Sequence, residues 1–232
     1  MNDVRAQRNA LVVGASRTIG AGLVRELASR GWFVTGTVRG DGRTELHALA
    51  DAADGRIRVE QLDISDDDGI ERLRGRCDDG SLDLLFVNAG IADPDVPVGS
   101  VSAEVFTQVM ITNALAPLHV VEALGTCVKP RGTIGVMTST QGSISRNERG
   151  GHEVYRASKS ALNQLMRSYA ARHGTERTLL LMDPGWVQTD LGGEGAPLSV
   201  DDSVRGVVTT IEKHAGATGL QFRDYQDHVV PW

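Results

Sequence analysis

Apolar residues along this 232-residue chain fall into two alternating patterns. Short runs rich in aliphatic and β-branched residues predict seven strands: ALVV at 10–13, WFVTGTV at 32–38, IRVEQL at 57–62, LDLLFV at 82–87, TIGVMT at 133–138, TLLLMD at 178–183 and LQF at 220–222. The longer stretches between them repeat with a helical period. In IGAGLVRELASRG, Ile19, Leu23 and Leu27 recur every fourth residue, Val24 and Ala28 widen the stripe, and Gly31 supplies a stop. Near the end, Ser199 and Asp202 fit a capping box ahead of Val204, Val207, Val208 and Ile211 on one helix face.

Runs such as ALVV and LDLLFV are apolar nearly throughout and do not alternate. That is the pattern of strands covered on both faces, hence of a parallel sheet. Alternating β and α units predict an α/β fold with a doubly wound parallel sheet of seven strands and helices on both faces. No repeat, low-complexity tract or Pro/Gly/Ser linker divides the chain, so residues 1–232 read as a single domain.

Composition narrows the function classes. Hydrophobic residues make up 41% and charged residues 23%, as in ordinary soluble domains. The net charge of −6, with basic residues scattered along the chain, argues against a nucleic-acid partner. Cys77 and Cys127 lie in segments that read as helices and lack metal-ligand spacing, which predicts free thiols in a reducing compartment. The start MNDVRAQRNA is polar and has no signal-peptide core, and no apolar run approaches the ~18 residues of a membrane span. The expectation is a cytoplasmic protein acting on a small molecule, with no membrane partner. The six histidines form no ligand cluster, so no catalytic metal is expected; His152 reads as a solvated loop residue.

Candidate chemistry begins after the first strand. GASRTIG places Gly14, Ser16, Arg17, Thr18, Ile19 and Gly20 at the entry to a helix, where main-chain N–H groups can approach a pyrophosphate. The spacing is G-x-x-x-G-x-G, with Thr18 in the middle glycine position. A site for NAD usually ends its second strand in an acidic residue that takes the ribose 2′-hydroxyl. Here that strand ends in Arg39, and Arg17 lies in the glycine turn, so both can face a 2′-phosphate; Asp41 close by is the alternative ribose acceptor. Preference for NADP(H) over NAD(H) is expected. Further along, Tyr155 and Lys159 stand one helical turn apart on one face.

GASRTIG is followed in order by LDI (62–64), NAG (88–90), Asn113, TS (138–139), YRASK (155–159) and DPGWVQTD (183–190). With these motifs the chain resembles the short-chain dehydrogenase/reductase family nearly end to end. QGSISRNERGG, YRASKSALN, PGWVQTDLGG, APLSVDDSV and VPW are similar to its branch of C-factor and sniffer-type carbonyl reductases.

The resemblance implies a Rossmann-type NADP(H)-dependent oxidoreductase acting on a carbonyl or secondary alcohol. It implies that Tyr155 is the general acid–base, and that Lys159 lowers the cost of its phenolate and binds the nicotinamide ribose. Tyrosine's reference pKa of about 10 is too high for efficient proton transfer at neutral pH, and a nearby cation favours the phenolate. Ser139 would steady the developing alkoxide as an oxyanion-hole donor does. Asn113 would hold a relay water between Lys159 and solvent. Asn88, Ala89 and Gly90 would line the adenosine side, with Asp63 and Ile64 near the adenine. Pro184 and Gly185 would border the nicotinamide, Val187 would bond its carboxamide, and Thr189 would reach the phosphates. Gln141 and Trp186 would border the substrate, although Trp186 also suits a core position.

Substrate choice would rest on segments 91–99, 140–152 and 190–198, the last a candidate lid. A homodimer or homotetramer, formed through the helices bearing Asn113 and Tyr155, is implied in the same way. Three departures stand out. Thr18 replaces a glycine. The gap from Ser139 to Tyr155 is long, which leaves Ser143 as a competing catalytic serine. Asp183 stands where this branch carries a histidine, with no functional account from sequence. The rival expectations are a dinucleotide-binding regulatory or signalling protein that has lost turnover, and another Rossmann enzyme such as a methyltransferase. The second leaves the Tyr155/Lys159 pair unexplained.

Overall fold

In the computed structural model, which describes residues 7–92, 95–173 and 176–232, seven parallel strands form one sheet in the order β3-β2-β1-β4-β5-β6-β7. The strands are β1 Asn9–Val13, β2 Phe33–Val38, β3 Ile57–Gln61, β4 Leu82–Val87, β5 Val128–Met137, β6 Thr178–Asp183 and β7 Gly219–Asp224. The helices are α1 Thr18–Ser29, α2 Glu45–Ala52, α3 Asp67–Arg74, α4 Ala103–Met110, α5 Ala116–Leu124, α6 Glu153–His173 and α7 Val200–Lys213. The first six residues, and residues 93 and 94 of the 91–99 loop, lie outside the described residues.

Each strand sends successive side chains to opposite faces, and both faces are covered. Leu11, Val13, Leu85, Val87, Ile134, Val136, Leu179 and Leu181 pack under α3, α5 and α6, with Ile70, Val121, Leu162 and Met166 above them. Ala10, Val12, Leu84, Phe86, Leu180 and Met182 pack under α1, α2 and α7, with Leu23, Leu27, Leu46, Val207 and Val208. Two buried faces explain why the strand runs are apolar throughout.

Four local expectations are corrected. Cys77 lies in the turn beyond α3 and not in a helix, while Cys127 ends a short 3₁₀ turn; both are free thiols. The α7 cap is half a box: Ser199 Oγ accepts the Asp202 N–H (3.1 Å), but Asp202 turns its carboxylate to the Ser199 hydroxyl (2.7 Å). The fifth strand begins at Val128, five residues before the apolar run at 133. Finally, α4 and α5 join through a π turn at Ile111–Leu115 into one helical run, Ala103–Cys127, long and apolar enough by length and composition to cross a membrane. More than half of its most apolar window is buried, and Leu118, Val121 and Leu124 pack on the sheet, so here it serves as a core helix.

Gly135 on β5 lies beside Phe86 on β4 in register, and a Cβ at Gly135 would stand 2.4 Å from the fully buried Phe86 ring. Gly135→Ala should therefore cost about 1–3 kcal/mol by overpacking. At this chain length that is a Tm drop of roughly 2–12 °C. An unchanged midpoint in a thermal melt would mean that the Phe86 ring swings aside freely.

Candidate active site

The strand order reverses at β1, which has β2 on one side and β4 on the other. The connections leave towards opposite faces there, opening a crevice at the carboxyl ends of β1 and β4. Gly14 directly follows β1 with φ +82°, and its N–H donates to Thr37 Oγ1 (3.0 Å). Asn88 directly follows β4 and donates its side-chain amide to the Gly14 carbonyl (2.9 Å). A Cβ at Gly14 would press on Ala89 at 2.9–3.0 Å, and one at Gly20 would meet the Gly14 carbonyl at 2.1 Å. Only glycine fits either place, so the GASRTIG turn and the NAG segment form one tight floor.

Around that floor, Ser16 and Ile19 are half-buried. Thr18 adopts φ +47°, a left-handed backbone that costs a residue with a Cβ about 1–2 kcal/mol. Its N–H donates to the Glu45 carboxylate (3.1 Å). Arg17 is exposed and ion-paired with Asp190. Arg39 is exposed, and it makes no hydrogen bond or ion pair among the described residues. Asp41 accepts from Gln61 Nε2 (2.6 Å). Asp63 accepts the Ser65 N–H (2.9 Å), and the Ile64 side chain is turned into the core.

The other half of the crevice is built by α6 against the π turn and the end of β5. A π turn sets one residue out of helical register and often marks functional sites. Here it places Asn113 in full burial. The Asn113 amide takes the Ile91 N–H (2.8 Å) and donates to the Ile91 carbonyl (2.8 Å) and to Ser158 Oγ (3.0 Å). Both donors are therefore spent, and a relay water would have to use the main chain. Ser158, whose hydroxyl donates to the Tyr155 carbonyl (2.8 Å), carried no signal in the sequence beyond its place in YRASK.

Lys159 is 3% exposed, and its ammonium donates to the Met137 carbonyl at the end of β5 (3.1 Å). The ammonium lies 5.7 Å from the centroid of the half-buried Tyr155 ring. A Cβ on Gly90 would stand 3.4 Å from both Asn113 Oδ1 and Lys159 Nζ, so these groups flank the NAG segment. Burial pushes the Lys159 ammonium down to about 8. A depressed pKa in a cleft, on a residue with a stated physical cause, is a mark of functional sites.

Ser139 follows β5 with extended backbone, is half-buried, and accepts the Gln141 N–H (3.1 Å). Ser143, the competing serine, is fully buried, with its hydroxyl 3.3 Å from Ser145 Oγ. Of the two, only Ser139 is open to a substrate. Gln141 Oε1 is a buried acceptor with no hydrogen-bond partner among the described residues.

Past β6, Pro184 and Gly185 are half-buried and Val187 is buried. Thr189 Oγ1 takes the Gly192 N–H (3.0 Å). Trp186 is 60% exposed, which removes the core alternative, and its indole donates to the Gly192 carbonyl (2.7 Å). Of the expected residues, the structure brings Gly14, Gly20, Asn88, Ala89, Gly90, Asn113, Tyr155 and Lys159 into one chain of contacts.

Comparison with known proteins matches residues 8–196 to the short chain dehydrogenase model. The chain belongs to the short chain dehydrogenase family. It is thus an oxidoreductase by family, with relatives on both the sequence and the structural side. C-signal of Myxococcus xanthus is 38% identical over 160 residues, covering 66% of this chain and 94% of that protein. A Burkholderia multivorans short-chain dehydrogenase/reductase solved with bound NADP is 50% identical, with a TM-score of 0.95 over 97% of this chain and all of that one. The carbonyl reductase Sniffer of D. melanogaster is 30% identical, with a TM-score of 0.86 and the same coverage.

The buried Lys159 ammonium makes the stability of the cofactor-free protein depend on pH. Its folded value, about 8, lies below the ordinary lysine value of 10.5, so the unfolded chain holds the proton more tightly. Stability then rises with pH between those values, and the buried charge costs most below 8. At about 1.4 kcal/mol per pKa unit the cost at pH 7 is about 3–4 kcal/mol. Lys159→Met should therefore stabilise the cofactor-free protein at pH 7. The gap to wild type should close as pH approaches 10.5. Denaturant melts across pH would check it, and a variant less stable at pH 7 would contradict it.

Proposed function

We propose that the protein transfers hydride between NADP(H) and a carbonyl or secondary alcohol, with Tyr155 as general acid–base. The observation that carries this reading is the buried Lys159 ammonium, one helical turn from Tyr155 and against the end of the strand that leads to Ser139. A cation in that place lowers the cost of a phenolate, which proton transfer at neutral pH requires.

The crevice fits a dinucleotide by its own geometry. The floor at Gly14 and Gly20 excludes any Cβ, leaving main-chain N–H groups able to approach phosphates closely. Ser16, Thr18 and Ile19 would hold the pyrophosphate, and Arg17 and Arg39 the 2′-phosphate. Asn88, Ala89 and Gly90 would lie along the adenosine side, with Asp63 and the main chain of Ile64 near the adenine. Pro184, Gly185, Val187 and Thr189 would border the nicotinamide end. The bound cofactor supplies the hydride, and the protein supplies orientation and electrostatics. Tyr155 holds the proton that passes to or from the substrate oxygen. Ser139 donates to that oxygen and steadies its charge. Lys159 keeps the local field positive, and Asn113 fixes the helix that carries the proton route out. Gln141 and Trp186 border the substrate. The bound NADP of the B. multivorans structure and the carbonyl reductase Sniffer support the cofactor and the substrate class.

The likeness to C-signal favours a second reading, a dinucleotide-binding signalling protein of the same fold. Retention of Asn113, Ser139, Tyr155 and Lys159 supports turnover over that reading. We also read the chain as one domain and a cytoplasmic protein. Phe106, Ile111 and Leu115, exposed along the α4–α5 run, support a homodimer or homotetramer through that helix.

Two measurements test the reading. Across a panel of carbonyls followed by NADPH consumption, Tyr155→Phe should lower kcat by roughly 10²–10⁴-fold while the NADPH Kd stays within about threefold. Activity that survives the substitution rejects the mechanism, and a wild type inactive on every carbonyl favours the signalling reading. In fluorescence titrations NADPH should bind at least about tenfold more tightly than NADH, and Arg39→Ala should remove most of that preference. Equal affinities would overturn the assignment of the two arginines.

A further inference from the structure

Asp183 is a buried carboxylate that the proton-transfer scheme does not use. It ends β6, is 7% exposed, and burial pushes its pKa up against the hydrogen bonds it receives. Burying a carboxylate is costly unless its oxygens are answered. Here they are answered by two different segments. Oδ2 takes the Thr140 hydroxyl, and Oδ1 takes the Gly185 N–H (3.3 Å). Thr140 directly follows Ser139 and opens the short 3₁₀ turn that Ser139 caps. Gly185 begins the segment that runs through Trp186 and Val187. The Thr138 N–H to Met182 carbonyl bond (2.8 Å) is the last main-chain link between β5 and β6 before this point. Beyond that link, the Asp183 carboxylate bridges the two segments.

We propose that Asp183 is a positioning residue that clamps the Ser139 turn to the Pro184–Trp186 segment and so fixes the separation between the Ser139 hydroxyl and the nicotinamide-bordering backbone. The inference rests on the hydride-transfer reading above, and it explains the acid that replaces the histidine of the resembling branch. Thr140 is the partner that makes an acid useful there, because its hydroxyl donates to the carboxylate. Ser203 Oγ holds the Pro184 carbonyl from α7 (2.7 Å), so the second segment is anchored on its far side and the clamp has something rigid to hold against. Asp224, in register with Asp183 on β7, turns its carboxylate instead to the N–H groups of Gln226 and His228.

The test uses the full chain with NADPH and 2,3-butanedione as probe carbonyl, comparing Asp183→Asn, Thr140→Val, Thr140→Ser and the Asp183→Asn/Thr140→Val double variant. A misplaced donor costs roughly tenfold to a hundredfold in rate. That loss should appear in kcat for Asp183→Asn and Thr140→Val, with the NADPH Kd within about threefold of wild type. Thr140→Ser keeps the hydroxyl and should keep the rate. The double variant should be no slower than the slower single, as expected for two halves of one contact. Wild-type kcat in Asp183→Asn, equal loss in Thr140→Ser and Thr140→Val, or additive losses in the double would each overturn the proposal.

Hydrogen exchange by mass spectrometry gives a readout free of turnover. Peptides covering 139–143 and 184–188 should both exchange faster in Asp183→Asn and Thr140→Val, and unchanged exchange in both overturns the clamp. If wild type consumes no NADPH with any carbonyl, the hydride-transfer reading fails, while the exchange data still decide whether the clamp exists. If Asp183→Asn does not fold, the Thr140 pair carries the same test.

Discussion

A lysine ammonium held out of water is the constraint around which the crevice is arranged. Among the described residues the Lys159 ammonium donates to the Met137 carbonyl, and burial depresses its pKa because the protein replaces water around the charge only in part. A fold tolerates such a group only where the surroundings over-determine its place. Three elements do so. The end of β5 supplies the carbonyl. Helix α6 supplies Tyr155 and Ser158 on the same flank. The π turn supplies Asn113, whose amide ties Ile91 and Ser158 together and leaves Gly90 between itself and the ammonium. Shifting any one of them uncovers the charge or crowds the NAG segment.

Much of the architecture was legible because burial on two faces leaves a mark that needs no partner to be seen. All seven strands lie where the apolar runs place them, and the parallel order follows from strands that do not alternate. The β5 boundary was missed because VKPRG, with its proline and charges, does not look like a strand interior; Val128 nonetheless pairs with Leu82 before a register shift. The α4–α5 run was not counted as a span-length segment because polar residues such as Asn113 break up its apolar pattern. A π turn and a proline in the first turn of α5 both permit continuity.

The site divides along a similar line. Gly14, Gly20, Tyr155 and Lys159 are local patterns whose spacing is visible in the chain, but Asn88 and the role of the Tyr155/Lys159 pair were reached through the order of motifs that resembles the family. Thr140, Asp183 and Asp190 were opaque because each acts through a partner far away in sequence. Asp183 looks like the polar end of a strand, and only the sheet puts it beside Thr140, 43 residues earlier. The choice between Ser139 and Ser143 is of the same kind. Both follow one strand, and the difference between them is exposure, which no period encodes.

The cofactor end adds a last consequence of the same physics. Two donors of the glycine turn are already answered by carboxylates: Thr18 N–H by Glu45 and the Arg17 guanidinium by Asp190. The Arg17–Asp190 pair is exposed, with 68% and 74% of its side chains in water, and pairs of that kind contribute about 0–1 kcal/mol. A phosphate offers a guanidinium a bidentate, doubly charged partner, which is stronger than a single exposed carboxylate. On the NADP reading, Arg17 therefore exchanges one anion for a better one at small cost. Arg39, with no partner to give up among the described residues, exchanges nothing. Discrimination for the 2′-phosphate then falls mainly on Arg39, and Arg17 ties that choice to the segment beginning at Asp190.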